Sequence, residues 1–207
     1  MAKIVIFGAG GRAGRRAVAE AARRGHRVTA VVRDPSAHPD LAGAVAGDIT
    51  DAAAVGAIVA GHDAVIHAAV DLTNGEFFTA ASRALVEGLG KAGVRRVVAV
   101  GLASVMPGPS GGLMMDEPGY PNEYRSFYLA HAAGLDVLKE SGLDWTYVAP
   151  AGDFDHEGER GGAYAVAAHG DAADRITYPD FAIALIDEVE NGAHTRAAFI
   201  VRAHRQS

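Results

Sequence analysis

The chain has 207 residues, 49% of them hydrophobic and 21% charged, enough for a well-covered core and too apolar for a disordered chain. Its formal charge of −6 argues against nucleic-acid binding, which needs a basic footprint, and the lack of cysteine excludes disulfide frameworks, thiolate metal sites and cysteine nucleophiles. No stretch approaches the length of a membrane span, and the N-terminus lacks the apolar run and cleavage site of a secretory signal, so a cytoplasmic protein without membrane partners is expected.

In chain order, short continuous apolar runs alternate with alanine-rich helical stretches. Ile4–Phe7 reads as a first strand and Arg12–Arg24 as the helix after it, ending before Gly25. Val28–Val32 and Val45–Ala46 are the next strands. Asp51 or Thr50 can cap the helix that follows at Ala52–Val59. Ala64–Ala68 is a fourth strand, Glu76–Lys91 a helix stopped by Gly93, and Val97–Val100 a fifth strand. Residues 101–122, rich in proline and glycine, form a long loop of the kind that serves as a lid or binding loop. A helix over Glu123–Glu140, a strand at Trp145–Val148, a polar lobe at 150–175, a helix over Asp180–Glu190 and an edge strand at Ala198–Val201 complete the chain. Continuous apolar strands belong to parallel sheets covered on both faces, and strand–helix alternation supplies the crossovers. The expected fold is a Rossmann-like, doubly wound α/β sheet, one NAD(P)-binding domain spanning 1–207 with a small C-terminal lobe.

The main chemical signal is Gly8-Ala9-Gly10-Gly11-Arg12-Ala13-Gly14, which leaves the first strand and opens the first helix. Glycines there let a pyrophosphate approach the backbone, and the helix amino terminus offers free N–H groups and a positive dipole end. The second strand ends in Val31-Val32-Arg33-Asp34-Pro35. An NAD site places an acidic residue there for the ribose hydroxyl, whereas a 2′-phosphate wants arginine. Arg33, joined by Arg12, therefore favours NADP; the alternative makes Asp34 the ribose acceptor and the cofactor NAD. Asp48, in Gly47-Asp48-Ile49-Thr50, can accept from the adenine amino group or cap the following helix, and Ile49 belongs to the same wall. Ala68 and Ala69 present small side chains where backbone must approach the cofactor.

These segments, together with His67-Ala68-Ala69, resemble the atypical short-chain dehydrogenase superfamily. Three further stretches, Ser141 to Pro150, Gly158 to Tyr164 and Arg175 to Glu190, are similar to the bacterial NADH-flavin reductases and, through them, to biliverdin reductase B. The resemblance covers nearly the whole chain. It implies a nicotinamide cofactor, with Pro150 at its site, and a flat aromatic acceptor such as FMN lying over the nicotinamide.

Short-chain dehydrogenases reduce carbonyls with a Tyr-x-x-x-Lys pair and a serine after the fifth strand. Ser104 stands where that serine is expected, but no lysine follows Tyr120, Tyr124 or Tyr128 at the required spacing. Tyr128 and His131 share a helix face, and His131 matches a histidine near the substrate in the flavin-reductase relatives, so both join Ser104 as candidate catalytic residues. Hydride transfer to a flavin or quinone suits the missing lysine, since the resulting anion is delocalised. Met106, Met114 and Met115 are either an adaptable cover for a flat ring or loop packing. The cluster at Asp153, Asp155, His156, Glu157 and Glu159 reads as an acidic solvated loop, and no metal is expected. The reading is an NADPH-dependent reductase of a small flat acceptor, monomeric or homodimeric. Its alternatives are a non-catalytic NADP sensor of NmrA type and a nicotinamide-dependent isomerase or dehydratase.

Overall fold

Alternation of side chains along each strand divides the apolar residues into two cores, one on either face of a sheet. Val5 and Phe7 face one core with Val65, Val97, Trp145 and Tyr147. Ile4 and Ile6 face the other with Ile66, Val98 and Val148. The computed structural model describes residues 1–204. In it β1 (Lys3–Phe7) is followed by α1 (Arg12–Arg23), β2 (Arg27–Val32), β3 (Val45–Ala46), α2 (Ala52–Val59), β4 (Ala64–His67), α3 (Phe77–Ala92) and β5 (Arg96–Val100). Then come α4 (Arg125–Glu140), β6 (Asp144–Pro150), β7 (Asp153–Asp155), β8 (Tyr164–Ala167), β9 (Arg175–Thr177), α5 (Tyr178–Asn191) and β10 (Ala197–Ala203).

Eight strands form the main sheet in the order β3-β2-β1-β4-β5-β6-β10-β8. All neighbours are parallel except β10 and β8. This is a Rossmann-like doubly wound sheet. Helix α3 packs between α2 and α4 over the first core, and α1 packs on α5 over the second. Local signals place the helix ends. Asp51 caps α2 by accepting from the Ala53 and Ala54 amides, and Gly93, at φ 71°, closes α3. Thr177 caps α5 by accepting from the Asp180 amide, which moves the start of that helix two residues ahead of the expected Asp180.

The C-terminal third departs from expectation. Ala198–Val201 is not at an edge: β10 runs parallel to β6, Ala197 opposite Thr146 through Val201 opposite Pro150, and β8 covers its other side. The edge strand is β8, inside the stretch expected as a polar lobe. That stretch also holds β7, which pairs with β9 at its far end in a separate small parallel sheet. The lobe is tied to α1 through Glu20, whose 4% exposed carboxylate meets Arg23, Arg24 and Arg160. Those partners, Arg23 foremost, hold its pKa down at about 2. The loop at 101–122 lies folded on the sheet: a Pro107–Leu113 bridge closes its middle, and Met106, Met114 and Met115 are buried.

Helices α2 and α3 cross with their backbones close together at Gly56 and Gly88. A Cβ on Gly88 would lie 2.7 Å from Val55 Cγ1 and 2.9 Å from both the Ala52 carbonyl oxygen and the Gly56 nitrogen. Backbone atoms cannot swing aside, so Gly88→Ala is expected to lower stability by about 1–3 kcal/mol, the usual range for overpacking. A lowered urea midpoint with an unchanged slope checks this.

Candidate functional site

The end of β1 sets the site. The amides of Gly8 and Ala9 both donate to the Val31 carbonyl of β2 at 3.1 Å, and the Gly11 amide returns to the Gly8 carbonyl at 3.0 Å. The chain thereby turns sharply into α1. Gly8 has φ 76°, and a Cβ there would stand 2.4 Å from the Ala69 nitrogen. A Cβ at Gly14 would lie 2.1 Å from the Gly8 carbonyl oxygen. Gly11 is different: nothing but the Gly8 oxygen, at 3.4 Å, comes near its missing side chain. That opening sits at the N-cap of α1, where no side chain caps the helix and no acidic residue occupies the first turn. Free amides and the positive dipole end therefore face a space into which a phosphate can come close.

That space is a cavity of about 310 Å³. Of the residues expected to hold the cofactor, Gly8, Gly10, Gly11, Arg33, Ile49, Ala68 and Ala69 line it. The others do not. Ala13 and Gly14 lie within the first turn of α1, Gly14 serving helix–strand packing. Arg12 turns outward to His156. The Asp48 carboxylate is taken up by its own turn, accepting from the Thr50 amide at 2.8 Å and hydroxyl at 2.7 Å. Pro150 ends β6, buried opposite Val201 of β10. Asp34 likewise closes a short turn, accepting from the amide and hydroxyl of Ser36, and these bonds hold its carboxyl below the usual range.

Three contributors were not among the expected site residues. Asp71 lies 3.6 Å from the exposed side chain of Arg33. His38 lines the cavity. His67, at the end of β4, accepts from the Ala69 amide at 3.3 Å and so fixes the backbone that faces Gly8. Burial keeps its ring neutral, with a pKa of about 4.

Beyond Val70 the chain passes from this cavity to a second one. A groove of about 620 Å³ opens between Leu72, the turn after β5, the start of α4 and the lobe. Of the expected catalytic residues, Ser104 and Tyr128 stand together on its wall. Ser104 Oγ is 3.0 Å from the hydroxyl of Tyr120, a third groove residue not singled out from the sequence because it sits in the irregular loop. The Tyr120 ring meets Tyr128 edge-on, and burial raises the pKa of Tyr128. Met114 lines the groove, whereas Met106 and Met115 belong to the core.

His131 corrects the expectation. It is 7% exposed and does not line the groove. Its ring centroid lies 3.6 Å from that of Phe78, and Nδ1 shares a 3.1 Å hydrogen bond with the Tyr147 hydroxyl, which accepts from the Leu102 amide. The face of α4 bearing His131 is the one turned to the sheet, so the histidine supports the groove floor from beneath instead of touching an acceptor. Burial holds its pKa down at about 3. Because this lies below the unfolded value of 6.5, the unfolded chain takes up the proton first, and stability falls as pH drops from about 6.5 toward 3. Removing this titration by His131→Phe is expected to make stability fall less steeply over that window, read by urea unfolding at several pH values, while dinucleotide affinity stays unchanged.

Comparison with known proteins agrees with this geometry. Residues 8–191 match the family of NAD(P)H-binding domains. The chain is 34% identical to the uncharacterized protein YwnB of Bacillus subtilis, over 96% of this chain and 97% of that one. A Burkholderia pseudomallei structure, named only as a candidate exported protein, shares 39% identity and a TM-score of 0.86 over 98% of this chain and all of that one. A Streptococcus pneumoniae structure, named as a candidate NADH-flavin reductase, shares 29% identity and a TM-score of 0.84 over 99% of this chain and all of that one. No helix of the described residues is long and apolar enough to cross a membrane. The chain belongs to the NAD(P)H-binding family, among the atypical short-chain dehydrogenases.

Proposed function

We propose that the chain is an NADPH-dependent oxidoreductase that passes a hydride to a flavin such as FMN, a quinone or a similar flat acceptor. The observation that carries this reading is the lining of the two neighbouring spaces. Among the described residues, the cavity is lined by the side chains of Arg33 and His38, and the Asp71 carboxylate, 3.6 Å from Arg33, is not part of its lining. A cofactor with a 2′-phosphate matches that lining, and one whose ribose hydroxyl needs an acidic acceptor does not. The groove beside it is walled by Tyr120, Tyr124, Phe127 and Tyr128, with Met114 and Leu72 completing an apolar surface. Its size suits a small ligand, and its rings offer stacking faces.

A bound reduced nicotinamide supplies the hydride. The chain's own part is to bind and orient. The first-turn amides of α1 and the opening at Gly11 receive the pyrophosphate, and Arg33 reaches the 2′-phosphate. The aromatic wall holds the acceptor flat, which supplies proximity and alignment. No lysine lines either space among the described residues, so the tyrosine–lysine arrangement of carbonyl reduction is not formed. The hydroxyls of Ser104, Tyr120 and Tyr128 remain as hydrogen-bond donors to an acceptor oxygen or nitrogen. This reading places the protein in the cytoplasm, as a monomer or homodimer, with a small molecule and no nucleic acid as its partner.

Calorimetry on the purified protein is expected to give tighter binding of NADPH than of NADH, with NADPH oxidised when FMN or menadione is added. Arg33→Ala is expected to weaken NADPH about tenfold to a hundredfold, as for loss of a hydrogen bond to a charged group, and to leave NADH nearly unchanged. An equal loss for both cofactors overturns the NADPH assignment. Tight binding without turnover on any flat acceptor would favour the NADP sensor. A cofactor that stays bound and is regenerated in each cycle would favour the isomerase or dehydratase.

A further inference from the structure

We propose that His38 is a specificity-determining residue of the cofactor cavity: its imidazole Nε2–H, held over the glycine turn by Arg15, forms with Arg33 a two-sided grip on the 2′-phosphate of adenosine ribose. The inference rests on the NADPH reading and deepens it.

His38 leaves the short turn that follows β2, where its amide donates to the Pro35 carbonyl at 3.0 Å. Asp34 closes the start of that turn through Ser36, which fixes where the histidine emerges. Its half-buried ring then lies across Gly10. A Cβ on Gly10 would be 2.4 Å from Nε2 and 2.5 Å from Cε1 of the ring. Gly10 is therefore glycine to make a berth for His38, whereas Gly11 next to it keeps an open face for the pyrophosphate.

Arg15 sets the ring's protonation pattern. Its Nε donates to the Gly10 carbonyl at 2.8 Å, Nη1 pairs with Asp40, and Nη2 lies 3.1 Å from His38 Nδ1. A guanidinium has donors and no acceptor, so Nδ1 must accept. The proton of a neutral ring is then on Nε2, which lies beside Gly10 of the turn in a residue that lines the cavity. Arg15 and Asp40 face the ring from one side, and Arg33 shares the cavity with it. A doubly charged phosphate between a guanidinium and an imidazole N–H would take charge-assisted bonds from two directions. A ribose hydroxyl would gain little from either group.

The test is calorimetry with NADP+ and NAD+ on the intact protein, three single variants and one double variant. His38→Ala is expected to weaken NADP+ about tenfold while NAD+ stays within about twofold, one charge-assisted hydrogen bond being lost. His38→Gln places an amide N–H near the position of Nε2 and is expected to retain most of the affinity. Gly10→Ala displaces the ring, so it is expected to weaken NADP+ in the otherwise unchanged protein and to add nothing once His38 is alanine. If His38→Ala weakens both dinucleotides equally, or neither, the ring only packs the turn and the inference is overturned with the NADPH reading intact. If the unchanged protein shows no preference for NADP+, the NADPH reading itself falls and takes the inference with it.

Discussion

The approach of main chain to main chain at Gly8 is the constraint on which everything else rests. The end of β1 touches the backbone of Ala68 and Ala69 on one side and holds the Val31 carbonyl on the other. Three strand ends are thereby brought within a few ångströms of one point, and α1 has one direction in which to leave. Gly14 lets the helix settle against the turn, and His67 pins the Ala69 amide from below. The cavity is what remains between these contacts. Its floor is thus set by backbone packing.

From that fixed point the two spaces divide the chemistry. The cavity is bounded by the glycine turn, by Ala68 and Ala69 and by apolar side chains such as Phe7, Ile49 and Phe77, with Arg33 and His38 as its basic residues. The groove is bounded by rings, hydroxyls and a methionine. The segment from Ala68 to Leu72 serves both, lining the cavity with its first residues and the groove with its last. Asp71, within this segment, lies 3.6 Å from Arg33, so the segment that joins the two spaces also meets the arginine of the cavity.

The first half of the fold was legible because its signals are local. A glycine turn between an apolar strand and a helix, an arginine just past β2, and helix caps at Asp51 and Gly93 all act within a few residues of where they are written. Gly10 lines the cavity, but what fills the place of its missing side chain is a histidine 28 positions later, which no local pattern announces. His38 itself depends on Arg15, and no spacing rule joins the two. His131 shows the same limit on a helix. Its interval from Tyr128 shows that they share a face, but whether that face meets solvent or sheet is decided by Phe78 and Tyr147. The position of β10 was misjudged because order along the chain was taken for order across the sheet.

The insertion of β10 between β6 and β8 has its own consequence for how the molecule is made. Two earlier strands already wait for distant neighbours, β1 for β4 with Ile4 opposite Ala64, and β5 for β6 with Arg96 opposite Asp144. Strand β6 waits in the same way, since Thr146 is opposite Ala197 of β10. Until the intervening lobe and α5 are made, one side of β6 keeps its amides and carbonyls unpaired, a condition that invites pairing with other chains. Arrival of β10 closes that side, and β8 then pairs with its outer edge.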